Sequence, residues 1–301
     1  MLQINVIPAE MRRVFFTFLI VIAGFTGFSQ QHELGLMGGV SYYIGDLNPY
    51  GHFLTSQPAG GIMYRYNMNP RMAVRLHVLF GSLQAADSVI LYNEDRNLSF
   101  RSPLMEFGGQ YELSYYKFKI GHDKDFFTPY LFVGASFFKF NPQGYYKGDW
   151  YNLQSLGTEG QGTTAYPDRS PYNLAGFAIP FGLGFKVGIG SSTVLGIEWG
   201  LRKTFTDYID DVSTTYADPT VLMAQNTEVA AALADPAQSA ETEKTGFQRG
   251  NSSTKDWYSF AGLTLTFKIK DKSDSCPGGS RRRDSFKSKY LRIMKSESSI
   301  F

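Results

Sequence analysis

The 301-residue sequence contains one cysteine, Cys276, and four histidines, His32, His52, His77 and His122. A single cysteine excludes a disulfide framework and a cysteine-based metal site within the chain. No two histidines have a ligand spacing such as HxxxH. No glycine-rich phosphate loop, serine-centred elbow or Cys/His cluster is present, so the chain reads as non-enzymatic, with no cofactor and no metal. The 29 Lys and Arg nearly balance the 27 Asp and Glu, for a net charge of +2. That excess is too small to suggest a nucleic-acid partner. Past the N-terminal region, no apolar run reaches the ~20 residues of a membrane-spanning helix.

Aromatics are abundant: 19 Tyr and 25 Phe, with aromatic residues making up 16% of the chain, beside 31 Gly. This mixture suits many strands ending in aromatic girdles better than a helical bundle. At the N-terminus, Arg12-Arg13 precedes VFFTFLIVIAGFTGF, and Gly27 and Ser29 occupy the −3 and −1 positions of a cut before Gln30. Residues 1–29 therefore read as a signal peptide, with Met11 a second candidate start. Export follows, and any membrane contact must come through strands.

Eight segments alternate with period two, at roughly 33–46, 60–68, 72–84, 102–118, 129–141, 176–189, 193–207 and 256–269. In the sixth, Phe177, Ile179, Phe181, Leu183, Phe185, Val187 and Ile189 form one apolar row opposite small residues and Lys186. Most segments are long enough to cross a bilayer as tilted strands, which takes ~9–11 residues. The connections alternate too. Asn69-Pro70, the stretch around GHDKDF and Gly190-Ser191-Ser192 are short, whereas 47–59, 85–101, 142–175 and 208–255 are long. The expected fold is all-β: a transmembrane antiparallel β-barrel of about eight strands over residues 30–270, with short periplasmic turns, long extracellular loops and periplasmic termini.

In such a barrel the apolar row meets lipid and the other row meets the lumen. Arg65, Arg75, His77, Glu106, Gln110, Glu112, Lys186, Glu198 and Arg202 are expected inside. Eight strands leave room only for side chains, so these charges are expected to pair into a sealed lumen network rather than line a pore. The glycines at 182, 184, 188, 196 and 200 are expected to make room for long neighbours. Trp257 and Tyr258 are placed for one aromatic belt, with Phe267 and Ile269 near the other. Asp218-Pro219 reads as the start of a short surface helix near 219–234. TDYIDDVS carries Asp207, Asp210 and Asp211, but its spacing matches no EF-hand loop and reads as turn chemistry. Residues 271–301 form a basic tail that includes Arg281, Arg282 and Arg283, candidates for periplasmic docking.

The stretches YYIGDLNP (42–49), FTPYLFVGASFF (127–138), LGTEGQG (156–162), IPFGLGFKVGI (179–189) and LRKTFTDYIDDVS (201–213) resemble the PorG-type outer-membrane barrels of Bacteroidota. That resemblance implies an outer-membrane component of the type IX secretion system, which exports surface proteins and gliding-motility adhesins. It also implies periplasmic ring partners of the PorK and PorN kind, besides outer-membrane lipids. A narrow channel and a barrel binding a ligand or adhesin at the surface are the alternatives. The resemblance-bearing stretches fall at the expected outer rim. Asp46, Glu159, Asp207, Asp210 and Asp211 are therefore expected to anchor a packed extracellular cap.

Overall fold

A computed structural model describes residues 31–91, 93–237 and 244–269. The expected signal peptide and the basic tail with Arg281, Arg282 and Arg283 lie outside the described residues. Eight long antiparallel strands close into a barrel: β1 (Gln31–Ile44), β2 (Gln57–Asn69), β3 (Met72–Ala86), β4 (Ser99–Ser114), β5 (Phe127–Phe140), β8 (Ala175–Ile189), β9 (Thr193–Thr204) and β10 (Trp257–Ile269). The pairing of β1 with β10 and of β3 with β4 leaves these eight strands no free edge. Closure removes the row of unpaired amides and carbonyls that an open edge would expose. Among the described residues no helix is long and apolar enough to cross a membrane.

Alternation sets which way each side chain points. In β4, inward Glu106, Gln110 and Glu112 are buried while outward Met105, Phe107, Tyr111 and Leu113 are exposed. Many exposed large side chains of the chain are apolar residues on these outward rows, Leu36, Ile62, Leu131 and Phe177 among them. In water such a surface would be unstable; against acyl chains it carries no such cost.

The inward rows change character along their length. In β3 the row runs Ala73, Arg75, His77, then Leu79, Leu83 and Ala85. The lower and middle lumen holds the charged side chains, beside apolar clusters of Met37, Met63, Leu79 and Phe260 and of Phe118, Ile120 and Val194. Toward the long loops Leu83 and Ala85 join Tyr43, Leu47, Leu98, Ile209 and Leu233 in the main apolar core. Above the lipid belt water lies outside, so the loops must bury their own apolar groups over the barrel mouth.

Two loops hold further structure. The segment after β5 forms a hairpin, β6 (Gln143–Tyr146) and β7 (Asp149–Asn152), attached to β4 through Arg101 and Gln143. Its two-residue turn, Lys147-Gly148, has both residues at positive φ, the type I′ geometry that matches strand twist. The expected helix over 219–234 is two helices, Pro219–Gln225 and Glu228–Ala234. Asp218 caps the first by accepting from the Thr220 amide, and Thr227 interrupts the run by capping the second through the Ala230 amide.

Candidate functional site

Two groups of side chains stand out: the lumen network and the cap above it. In the lumen, Glu112 lies among three cations, with Arg65 Nε at 3.0 Å, Lys186 Nζ at 3.2 Å and Arg75 Nη1 at 3.5 Å. Arg65 also reaches Glu33 at 2.9 Å, and Arg75 Nη1 lies 2.5 Å from Glu198. Gln110 accepts from Arg75, and Thr266 donates to Glu33. Tyr130 donates to Glu198 at 2.9 Å. One layer higher, Glu106 meets His77 Nε2 at 2.6 Å and Arg202 Nε at 3.2 Å, and accepts from the Tyr258 hydroxyl at 2.6 Å. Arg65, Arg75, Lys186 and Arg202 thus face Glu33, Glu106, Glu112 and Glu198, four charges against four, all buried.

The glycines of β8 and β9 open this lumen to aromatic rings. A Cβ on Gly182 would lie 2.7 Å from Phe132 Cζ, one on Gly200 2.5 Å from the same atom, and one on Gly184 2.6 Å from the Tyr130 hydroxyl. Gly182 and Gly200 face each other in register. Phe132 fills the gap they leave and lies beneath the Arg75 guanidinium, 5.3 Å away. Tyr258 also faces inward, which corrects its expected place in an aromatic belt. Its neighbour Trp257 takes the outward position and packs edge-on against Phe181 at 6.0 Å. Strand alternation permits only one of two adjacent residues to reach lipid.

The cap joins loops far apart in sequence. Glu159 is fully buried and accepts from the Ser213 amide at 2.9 Å and the Thr214 hydroxyl at 2.6 Å. Arg249 reaches Glu159 at 3.1 Å and donates to the Asp211 carbonyl at 2.6 Å. Asp211, at φ +67°, accepts from Tyr172 at 2.6 Å and from Thr158. Arg96 holds Asp87 with two nitrogens, at 2.9 and 2.7 Å, and donates to the carbonyls of Arg249 and Asp46. Asp46 accepts from the Asn251 amide, and Asp207 from the Ser213 hydroxyl.

The Tyr43 hydroxyl lies 2.7 Å from Asp210 and 2.6 Å from Asp256. One hydroxyl carries one proton, so two contacts of this length require a second proton, on one of the carboxyls. Burial raises both carboxyls well above their ordinary value; the Asp46 charge adds to the effect at Asp210, and the Asp210 charge at Asp256. Burial also pushes Asp207 up to about 7 and Asp211 to about 6, the latter against the pull of Arg249.

Sequence reasoning did not single out Glu33, although it stands opposite Leu34 and Leu36 in a period-two row and directly across from Arg65. Nor did it find Asp87, Arg96, Arg249 and Asp256. Nothing local marks these residues, because their partners come from other loops.

With the geometry in place, comparison with known proteins adds a family. Residues 12–231 match DUF6089, a domain of unknown function. The chain belongs to the DUF6089 family. The matched span runs through β9 and ends within the helix Glu228–Ala234. No curated protein matches this DUF6089 sequence. Solved structures similar to it include the N-terminal β-barrel domain of Pseudomonas aeruginosa OprF, at 10% identity and a TM-score of 0.34, covering 80% of this chain and 100% of that one. Another is Ail, the attachment invasion locus protein of Yersinia pestis, in complex with the heparin analogue sucrose octasulfate, at 8% and 0.36, covering 80% and 97%. A third is Neisserial surface protein A, at 7% and 0.40, covering 80% and 100%. At these identities the likeness is one of fold alone.

Proposed function

We propose that this DUF6089 chain is a non-enzymatic outer-membrane component of the type IX protein secretion system. In this reading the barrel anchors a periplasmic ring of the PorK and PorN kind to the membrane. The observation that carries the reading is the lumen, where four buried cations meet four buried carboxylates. A narrow cylinder filled by paired side chains suits an anchor better than a conduit. The PorG-like stretches supply the link to secretion. The short turns and both termini would face the periplasm, where the tail with Arg281, Arg282 and Arg283 could meet an acidic ring surface.

Three measurements test this reading. Deleting the gene in its host should leave secreted cargo trapped in the periplasm; undiminished export refutes the assignment. The intact barrel in planar bilayers should show no steady conductance; open channels would favour the transport reading. Truncation after Lys270 should weaken co-purification with ring proteins while the barrel still folds; equal recovery removes the tail from the docking surface.

The cap favours a second reading, a surface-binding barrel. Its described loop residues carry a hairpin and two helices, and a cavity of about 430 Å³ among them is lined by Tyr145, Tyr146, Asp210 and Arg249 among others. Proteolytic shaving of the loops without loss of secretion would support binding as a separate role.

A further inference from the structure

The outward rows of the eight barrel strands contain no aspartate or glutamate. They contain three charged residues: Arg101 on β4, Lys139 on β5 and Lys203 on β9. All three are positive, and each stands within two residues of the long-loop end of its strand. Elsewhere the outward rows are apolar, aromatic or small, apart from a few uncharged polar groups.

Their surroundings differ from those of the lumen cations. No carboxylate pairs with Arg101, Lys139 or Lys203 among the described residues, whereas every lumen cation has one. Two of the three rest on an indole. The Arg101 guanidinium lies 3.6 Å from the Trp150 ring, with its Nε donating to Gln143 at 3.0 Å. The Lys203 ammonium lies 5.7 Å from the Trp257 ring. Aromatic rings of this kind mark the depth where hydrocarbon gives way to headgroups. A cation fixed at that depth faces polar heads, not acyl chains, and long side chains there reach toward the charged layer.

We propose that this rim is a docking surface for the phosphorylated headgroup of a lipid in the leaflet that meets the long loops. Three cations with no carboxylate partner among the described residues complement phosphate monoesters, whose net negative charge a zwitterionic headgroup lacks. Arg101 offers the planar fork that fits a phosphate, while Lys139 and Lys203 act as point charges. The proposal rests on the outer-membrane barrel reading and specifies which lipid chemistry the barrel recognises.

The test uses the full barrel in detergent, titrated with diphosphoryl lipid A or with the same lipid stripped of its phosphates, and read by native mass spectrometry. Near an anionic surface each cation contributes roughly a fivefold factor. The triple variant Arg101→Gln/Lys139→Gln/Lys203→Gln should therefore bind the phosphorylated lipid about a hundredfold more weakly. The charge-keeping Lys139→Arg/Lys203→Arg should bind as the wild type does. The dephosphorylated lipid should not distinguish the proteins. A loss smaller than about threefold in the triple variant, or equal retention of both lipids by the wild type, overturns the proposal. Folding into neutral phosphatidylcholine vesicles, followed by heat-dependent gel mobility, is measured in parallel. Failure to insert there refutes the barrel reading itself; insertion without phosphate preference refutes only the docking surface.

Discussion

Replacing Glu106 with leucine removes the only carboxylate within ion-pair distance of Arg202 among the described residues. The Arg202 side chain is fully buried, so its guanidinium cannot turn to water. Breaking a buried pair by deleting one partner costs about 3–5 kcal/mol. The Tyr258 hydroxyl loses its acceptor as well, at about 1–3 kcal/mol for a buried group left unsatisfied. Partial relaxation offsets some of this, and a net loss of about 4 kcal/mol is expected. Glu198→Leu should cost less, because Arg75 keeps Glu112 at 3.5 Å and its contact with Gln110. The double variant Glu106→Leu/Arg202→Met removes both charges and should be more stable than Glu106→Leu alone. Urea unfolding in lipid vesicles, followed by tryptophan fluorescence, measures all three. A loss below about 1 kcal/mol for Glu106→Leu, with no recovery in the double variant, would mean that water reaches Arg202 and that the network is not a sealed plug.

The cap should respond to pH in a definite direction. Asp207 and Asp211 are raised to about 7 and about 6 in the folded cap, so between an unfolded value of roughly 4 and those values the folded state holds more protons. Stability is therefore fully present below the lower value and falls as pH rises toward about 7. Proteolysis of the long loops should be slower at the acidic end of that window than above it; faster cleavage at the acidic end contradicts the assignment. Gly182→Ala should destabilise the barrel by about 1–3 kcal/mol, because its Cβ would meet the Trp199 carbonyl at 2.3 Å and Phe132 at 2.7 Å. Phe132→Leu should relieve the clash with the ring but not the one with the carbonyl, so recovery in the double variant should be partial.

The strands were legible because a barrel writes its two environments into alternate residues. The row from Phe177 to Ile189 marks β8 without any tertiary information, and the alternation of short and long links marks which ends lie together. The lumen charges follow from the same period: Arg75 and Glu112 could be placed inside from their neighbours Leu76 and Leu113. Pairings within the lumen depend on register, which periodicity does not supply, so Glu33 went unnoticed although it stands opposite Arg65. The β6–β7 hairpin was missed because four-residue strands carry too few alternations, even though Lys147-Gly148 is a turn signal. The cap was legible only in its acids. Arg96 and Arg249 are 153 residues apart in sequence, and their contact forms when closure of the barrel gathers the loops. Tyr43 was hidden for the same reason: its bond to Asp256 spans β1 and the segment before β10.

A barrel with a sealed, charged lumen requires the apolar face of its strands to meet lipid. A photoactivatable probe dissolved in the bilayer, with labelled peptides mapped by mass spectrometry, measures this directly. The expected result is labelling of Leu76, Leu131 and Leu263 with none on Arg75, Glu112 or Arg202. Labelling of the charged set with protection of the leucines would contradict it.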